Sequence, residues 1–419
     1  MSHCSDELSF NTQLLHGPSS GGYAQKEILP PVSQVTAFCY DRMEDLEKVF
    51  HHKSAGYAYT RIGNPTISAF EQRVNNLEGG AGAIAASSGM SAITTALLAV
   101  CESGDEIIAG DSLYGGTIGL FHDLEKLGIH TRFVDIENEE EIKAAIGEKT
   151  RVIFGELISN PAQKVMNVPK ICAIAHEKGI PVFVDSTTAT PYIARPLLLG
   201  ADVVIHSTSK YLNGGGNAIG GIIVDGGKFK WDTAKHTALK EYAMYKNLAF
   251  QIRLRTDLWE NFGGCMAPVN AFLSFIGIDT LGLRMERICQ NADALAHALA
   301  EIPDIQVNYL TLPGHPCHAL AGSLLGGRGG GILSFRAGSK KRAFRIINSL
   351  NYAYIASNIG DLRTLVIHPA STLYIHSTLE EMEAAGVYDD TVRVSVGIED
   401  SKDLIKDFQR AIEESRQEE

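Results

Sequence analysis

The sequence predicts an α/β protein, with a large domain built on a mainly parallel sheet and a smaller C-terminal α+β domain. From residue 64 to residue 206, short apolar runs alternate with helical patterns, which is typical of βαβ units. After about residue 264, long helical patterns dominate and strand-like runs are isolated. The chain has 419 residues, of which 45% are hydrophobic and 21% charged, enough for a large core and more than one domain.

The elements of the large domain follow one another in regular order. Helical periodicity predicts helices over residues 64–77, 90–100, 117–127, 139–146 and 168–178. Apolar runs predict strands over residues 81–86, 106–109, 131–135, 151–154, 181–185 and 202–206. We expect the run at 202–206 to be the last strand of this sheet.

The remainder of the chain differs on both sides of this region. Residues 1–60 show few periodic stretches and are expected to form an irregular N-terminal arm. Beyond the large domain, the pattern predicts helices at 269–275, 281–300, 341–350 and 401–415 and strands at 331–335 and 391–395. The predicted division is therefore an arm at 1–60, a large domain at 61–263 and a small domain at 264–419.

Charge and hydropathy exclude several classes of partner. The chain has 37 Lys and Arg against 49 Asp and Glu, a formal net charge of −12, whereas nucleic-acid binding needs a clustered basic surface. The densest basic stretch, Lys340 to Arg342, is expected to be only a solvated helix start. The most apolar window, residues 81–100, is interrupted by Ser and Thr and is not expected to span a membrane. We expect a soluble protein that binds neither nucleic acid nor membranes.

Cysteine and histidine usage points to a reduced compartment without a metal site. The seven cysteines are scattered, odd in number and never arranged as C-x-x-C, which is typical of cytoplasmic proteins with free thiols. His51 and His52 are adjacent, and His315, Cys317 and His318 lie in a loop rich in Pro and Gly. Neither group has a second ligand cluster at suitable spacing, so we predict a cytoplasmic protein with no bound metal.

An acid and a lysine follow two neighbouring predicted strands. Asp185 ends the run PVFVD, and Lys210 follows DVVIHSTS. Ligands of parallel α/β sheets bind outside the carboxyl ends of the strands, so the two side chains are expected to share one site. Pyridoxal phosphate needs such a pair, a lysine for the Schiff base and an acid facing the pyridinium nitrogen. The alternative is a salt bridge at the rim of the sheet.

A candidate phosphate site lies nearby in the same predicted sheet. Ser88, Gly89 and Met90 follow a strand and open a helix, where backbone N–H groups can face an anion. Ser207 and Ser209 would add hydroxyl donors. A capped helix after a tight turn is the alternative. A dinucleotide site is disfavoured because the glycines of residues 80–85 precede the strand rather than follow it.

One further residue is a candidate for binding a ring, and the absence of two motifs argues against two protein classes. Tyr114 follows a predicted strand and is flanked by two glycines, so its ring could cover a planar heterocycle. The alternative is ordinary packing. The sequence contains neither a G-x-x-x-x-G-K-[ST] loop nor a G-x-S-x-G elbow, which argues against a P-loop protein and a serine hydrolase.

Seven different short strings are distributed along nearly the whole chain. One of them is DVVIHSTSK at 202–210, followed by YLNGGG. The others occupy residues 57–66, 87–92, 111–116, 184–187, 368–372 and 392–399. Together they resemble the signatures of the Cys/Met-metabolism family of pyridoxal phosphate enzymes, which includes cystathionine γ-synthase, cystathionine lyases, methionine γ-lyase and O-acetylhomoserine sulfhydrylase. The resemblance implies the PLP-dependent transferase fold of type I, with an N-terminal arm that contributes to a neighbouring subunit.

The resemblance also implies individual roles. Catalysis is assigned to Lys210, which would form the Schiff base, to Asp185, facing the pyridinium nitrogen, and to Tyr114, stacked on the ring. The remaining cofactor-binding positions are Ser88, Gly89, Met90, Asn160, Ser207 and Ser209, together with Tyr59 and Arg61, which would reach the phosphate of a neighbouring subunit. Substrate binding is assigned to Arg393, which would grip the α-carboxylate, and to Asn358 and Tyr59. Because subunits would share sites, the expected assembly is a homotetramer built from dimers.

Some positions depart from the family pattern and others indicate a branch. Ser209 stands where the family usually has Thr, Ser186 where it has Asn, and Gly215 where it has His. Methionine γ-lyases commonly carry Cys where this chain has Gly116. The string SNIGD at 357–361 resembles the sulfhydrylase branch, as does a longer insertion at about 224–248.

This branch implies a specific reaction on a small-molecule amino acid. The expected function is γ-replacement on O-acetyl-L-homoserine with sulfide or a thiol, which gives homocysteine or methionine and acetate. The alternative enzyme is a methionine or cystathionine γ-lyase that releases 2-oxobutyrate. A catalytically silent subunit of the same fold is disfavoured because Lys210, Asp185 and Arg393 are all present.

Overall fold

A computed structural model describes residues 9–16, 28–51 and 53–416. Its helices are α1 Phe10–His16, α2 Met43–Phe50, α3 Pro65–Glu78, α4 Gly89–Leu98, α5 Gly115–Lys126, α6 Glu139–Ala145, α7 Val168–Glu177, α8 Thr190–Ile193, α9 Ala249–Arg253, α10 Glu260–Phe262, α11 Pro268–Asp279, α12 Leu281–Ala300, α13 His318–Leu324, α14 Lys340–Ser349, α15 Leu379–Ala384 and α16 Ser401–Arg416. Segments of 3₁₀ or π helix occupy Pro196–Leu199, Thr237–Leu248, Leu254–Trp259 and Pro369–Ser371, and the second of them is kinked at Lys246.

Seven strands form the large sheet in the order β1-β7-β6-β5-β4-β2-β3. They are β1 Gly82–Ala86, β2 Glu106–Gly110, β3 His130–Val134, β4 Thr150–Glu156, β5 Val182–Asp185, β6 Val203–Ser207 and β7 Gly221–Asp225. Strands β3, β2, β4, β5 and β6 pair in parallel, and β7 runs antiparallel to both β6 and β1. The predicted mainly parallel sheet is confirmed.

Helices cover both faces of this sheet, as the apolar strands require. Consecutive residues of one strand enter different cores: Ile153 belongs to the core that includes residues of α3 and α7, whereas Phe154 belongs to the core that includes residues of α4 and α5. Because the sheet is buried on both faces, its exposed edge is formed by strand ends and the loops that follow them. Ligand-binding side chains are therefore concentrated at this edge.

Five strands form the small sheet in the order β10-β11-β12-β9-β8. They are β8 Gln306–Asn308, β9 Ile332–Arg336, β10 Tyr354–Ile355, β11 Leu365–Ile367 and β12 Thr391–Ser395. Helices α12, α14 and α16 pack against this sheet around a separate core. Helix α11 follows residue 264, the predicted start of the small domain, but it packs on α3, which covers the large sheet. The domain boundaries stay a prediction.

Most predicted elements coincide with observed ones to within two residues at each end, and the helix predicted at 269–275 extends to Asp279. Two expectations about the order and extent of these elements were wrong. The strand at 202–206 is not the last of its sheet, because β7 follows it and closes the gap to β1. The N-terminal region is not wholly irregular, since α1 and α2 lie within it; the arm predicted at 1–60 falls partly outside the described residues.

The basic stretch at the start of α14 is not simply solvated. Arg342 is buried and pairs with Asp304, while its Nε donates to Ser415 Oγ at 3.0 Å. The expectation was wrong because α16 packs along α14 and covers this residue, which is a tertiary contact that a helix pattern does not show.

The described ranges contain no membrane-spanning helix, no metal-binding cluster and no disulfide. No helix there is long and apolar enough to cross a membrane. Within those ranges, no group of three or more His, Cys, Asp or Glu side chains is arranged to hold a metal ion. The six cysteines they contain are unpaired, and Cys4 lies outside them.

Candidate active site

The carboxyl ends of β4, β5 and β6 open into a cavity of about 740 Å³, a size typical of small-molecule sites. Eleven residues of the predicted site line it: Ser88, Gly89, Met90, Tyr114, Asn160, Asp185, Ser207, Ser209, Lys210, Asn358 and Arg393. Two predicted residues, Tyr59 and Arg61, are not among the lining residues. The fold thus gathers side chains that are up to 305 residues apart in sequence into one site.

Lys210 lies in the turn after β6 and is held by a residue of the loop between β10 and β11. Its Nζ donates a hydrogen bond to Asn358 Oδ1 at 2.5 Å. Gly360 lies so close that a Cβ there would be 2.5 Å from Tyr211 N. Burial, with a smaller effect from the charge of Arg393, lowers the pKa of Lys210 to about 8. The amine therefore reaches its neutral, nucleophilic form far more readily than an exposed lysine.

Asp185 ends β5 and is anchored by Thr187. Thr187 N donates to Asp185 Oδ1 at 2.9 Å, while Thr187 Oγ1 accepts from Ser207 N at 2.8 Å. Burial raises the pKa of Asp185, although hydrogen bonds from Thr187 and the charge of His206 oppose this shift. A cation placed against Asp185 would stabilise its ionised form. Thr187 was not foreseen as a site residue.

The N-terminus of α4 forms the anion-binding part of the cavity. Ser88 Oγ caps the helix by accepting from Ser91 N at 3.1 Å. A Cβ at Gly89 would lie 2.6 Å from Ser207 Cβ, so only glycine allows this close approach. Ser209 lines the same corner, but its hydroxyl already bonds both Gly220 N and Gly220 O. A helix N-terminus beside hydroxyl groups suits a phosphate.

One buried carboxylate in the cavity was missed from the sequence. Glu156 ends β4, accepting from Tyr114 N at 2.7 Å through Oε1 and from Asn160 N at 3.2 Å through Oε2. Burial and the neighbouring charge of Asp185 raise the pKa of Glu156, although the two N–H donors act against this. An acid as the last residue of a buried strand, as at Asp185, was the signal that could have revealed it.

Arg393 on β12 supplies a buried positive charge. Its Nη2 donates to Asn358 O at 3.0 Å, and its buried Nε has no hydrogen-bond partner among the described residues. No ion pair to Arg393 is formed within the described ranges. A buried guanidinium with free donors is suited to a carboxylate ligand, because an uncompensated buried charge is costly.

Tyr59 and Arg61 lie together away from the cavity. The Arg61 guanidinium is 5.4 Å from the centre of the Tyr59 ring, and Arg61 donates to Glu260 O. Tyr59 is exposed. A role at the site of a neighbouring subunit remains a prediction.

The two other departures from the family pattern, Ser186 and Gly215, and the branch position Gly116 each have defined local surroundings. Ser186 is buried, and its Oγ has no hydrogen-bond partner. Gly215 N donates to Asn213 Oδ1 at 3.0 Å. A Cβ at Gly116 would lie 2.5 Å from Tyr114 Cε1, so the glycine leaves room for the ring as it stands.

Comparison with known proteins agrees with this geometry. The model of the family described as "Cys/Met metabolism PLP-dependent enzyme" matches residues 11–413. The chain belongs to this family. The cofactor of this Cys/Met metabolism enzyme is therefore pyridoxal phosphate, and its two-sheet architecture is the PLP-dependent transferase fold of type I.

Relatives within the family are similar over almost their full length. Homocysteine synthase of Schizosaccharomyces pombe is 39% identical, with 96% of this chain and 98% of the relative covered. O-acetyl-L-homoserine sulfhydrylase of Corynebacterium glutamicum is 37% identical, with 96% and 97% covered. L-methionine gamma-lyase of Fusobacterium nucleatum subsp. polymorphum is also 37% identical, with 91% and 93% covered.

A solved structure resembles the whole chain. It is described as an O-acetylhomoserine (thiol)-lyase from Campylobacter jejuni subsp. jejuni and carries N'-pyridoxyl-lysine-5'-monophosphate. The TM-score is 0.92 at 35% identity, with 97% of this chain and all of that chain covered.

The residues present here fit the cofactor. In the part of the chain that the structure describes, the buried Asn160 Oδ1 has no hydrogen-bond partner. The α4 N-terminus offers an anion cradle closed by Gly89, and Lys210 and Asp185 line the same cavity. Each polar group of pyridoxal phosphate therefore has a complementary protein group available.

Proposed function

We propose that the protein catalyses γ-replacement on O-acetyl-L-homoserine by sulfide or a thiol, which gives homocysteine or methionine and acetate. The observation that carries the proposal is Arg393, a buried guanidinium with a free Nε beside Asn358 and the amine of Lys210. This arrangement suits the carboxylate of an amino acid whose Cα lies near the lysine. The names of the relatives supply the substrate class.

Pyridoxal phosphate, when bound, supplies an electron sink for the bonds at Cα of the amino acid. Asp185 would keep the ring nitrogen protonated, and the ring of Tyr114 would cover one face of the cofactor. The amide groups at Gly89 and Met90, with the hydroxyl of Ser207, would hold its phosphate. Asn160 would lie beside the 3′ oxygen.

Lys210 would move the protons of the reaction. Its lowered pKa of about 8 leaves a substantial neutral fraction near neutral pH, as a general base requires. Asn358 Oδ1 accepts from Nζ and cannot itself remove the proton, so it orients the amine without competing for its role. Arg393 would fix the carboxylate, and thus the position of Cα, through a bidentate contact.

The nucleophile decides between replacement and elimination. Sulfide or a thiol that adds at Cγ gives the replacement product, whereas water gives 2-oxobutyrate, so exclusion of water favours replacement. Elimination is the second candidate because a methionine γ-lyase is among the similar relatives. Gly116 favours replacement, since those lyases commonly carry Cys there.

We also propose a cytoplasmic homotetramer built from dimers with shared sites. Tyr59 and Arg61 lie beside each other outside this chain's own cavity, and Tyr59 is exposed. Both residues are thus available to a site on a second copy, where they would bind phosphate and substrate. The proposal is tested by measuring mass in solution and by restoring activity when two differently inactivated variants are mixed.

The activity is tested with purified holoenzyme and O-acetyl-L-homoserine, with and without sulfide. Homocysteine, acetate and 2-oxobutyrate are measured in the same reaction. We expect equal amounts of homocysteine and acetate when sulfide is present. Ketoacid as the main product at saturating sulfide would show a γ-lyase instead, and no product of either kind would support a silent subunit.

A further inference from the structure

Glu156 differs from the other polar groups of the cavity in what it contacts. It is 8% exposed, and both of its carboxylate oxygens accept backbone N–H groups rather than pairing with a cation. One N–H belongs to Tyr114, at the start of α5, and the other to Asn160, in the loop after β4. A single side chain therefore connects two loops whose bonded residues, Tyr114 and Asn160, lie 46 positions apart in the sequence.

The position of Glu156 in the sheet relates it to the cofactor site. Glu156 is the register neighbour of Asp185 across β4 and β5, so the two acids lie side by side at the strand ends. Tyr114 and Asn160 both line the cavity. The loops that Glu156 connects carry the ring-stacking and 3′-oxygen contacts assigned above.

We propose that Glu156 is a positioning residue that fixes Tyr114 and Asn160 relative to each other around the ring of pyridoxal phosphate. The inference deepens the proposed function and rests on its assignment of these two residues. The two oxygens of this one carboxyl group accept the N–H groups at 2.7 Å and 3.2 Å, so a single side chain sets the separation of the two loops. A carboxylate suits this task because both oxygens accept.

The Glu156→Gln substitution is the sharpest perturbation. Glutamine keeps one accepting oxygen but places an NH₂ group against the second N–H, so one of the two loops loses its anchor. We expect roughly tenfold weaker binding of pyridoxal phosphate, together with a reduced circular dichroism band of the bound cofactor. In the holoenzyme, kcat should fall while KM changes little, because Arg393 still binds the substrate.

Glu71→Gln is the matched control. Glu71 is similarly buried and its Oε1 accepts from Ala85 N at 2.8 Å, while its Oε2 pairs with Arg255 at 2.8 Å, and it lies outside the cavity. This variant should change thermal stability without changing cofactor affinity or the dichroism band. Equal losses of affinity in both variants would overturn the proposal, as would an unchanged affinity and dichroism band in Glu156→Gln.

A shorter acid provides the test if Glu156→Gln does not fold. Glu156→Asp keeps the charge but withdraws the oxygens by one methylene, and it should also weaken cofactor binding; normal binding would contradict the inference. Because cofactor affinity and dichroism need no substrate, failure of the proposed reaction in the unsubstituted enzyme would leave this test intact.

Discussion

The two sheets contribute to the site in different ways. The large sheet supplies Asp185, Glu156 and Lys210 from adjacent strand ends, each held by neighbouring loops. The small sheet and its loops supply Arg393 and Asn358, and Asn358 bonds to the lysine across 148 residues of sequence. Cofactor chemistry is thus assigned to one sheet and substrate recognition to the other, and the Lys210–Asn358 bond joins them.

The largest effect is expected from Lys210→Ala, which removes the residue where the two regions meet. Turnover should fall by at least about 10²–10⁴-fold, because the variant loses its general base as well as the covalent attachment. The visible absorbance of the bound cofactor should change at the same time. Lys235→Ala is the control, since Lys235 also has a pKa lowered by burial but lies outside the cavity. Retained turnover would mean that another base operates.

Arg393→Ala tests whether substrate recognition belongs to the small sheet. Loss of one partner of a buried charge pair costs about 2–5 kcal/mol, so KM for the amino acid should rise at least tenfold while cofactor remains bound. Arg342→Ala removes a buried arginine of α14, which packs on the same sheet away from the cavity, and controls for general destabilisation. Loss of cofactor from Arg393→Ala would refute the division between the sheets.

Gly89→Ala is the counterpart on the large sheet. The new methyl group would press on Ser207, whose Cα would be 3.0 Å away, and overpacking of this kind costs about 1–3 kcal/mol. Cofactor affinity should fall by roughly tenfold, whereas KM of the remaining holoenzyme should change little. In Gly119→Ala a methyl group would meet nothing within 4 Å, so normal cofactor binding is expected there. An unchanged affinity in Gly89→Ala would argue against this phosphate cradle.

The smallest effect is a shift in the pH at which Lys210 reacts. In cofactor-free protein, acylation of Lys210, followed by peptide mass spectrometry, should increase through a pKa of about 8. A positive neighbour disfavours a second positive charge, so Arg393→Ala should move this midpoint to higher pH. A midpoint near the ordinary lysine value of about 10.4 in the unsubstituted protein would show that burial does not act on the amine.

Site residues were easiest to recognise in the sequence where an ionisable side chain comes at or soon after the end of a predicted strand. Asp185 and Lys210 were recognisable because each directly follows an apolar run, and parallel strands bring such ends together. The string at 202–210 and its companions predicted the family, which the match over residues 11–413 confirms. The prediction of Arg393 depended on this resemblance, since nothing local in VRVSV distinguishes a ligand-binding arginine from a surface one.

The sequence by itself determined the alternation of strands and helices, the family and the cofactor, because these depend on periodicity and on short ordered motifs. Only the tertiary structure decided the pairing of β7 between β1 and β6, the burial of Arg342 under α16 and the role available to Glu156. The physical reason is the same in all three cases. Burial and hydrogen-bond partners are set by segments distant in sequence, and they determine whether a side chain is solvated, paired or held against a loop.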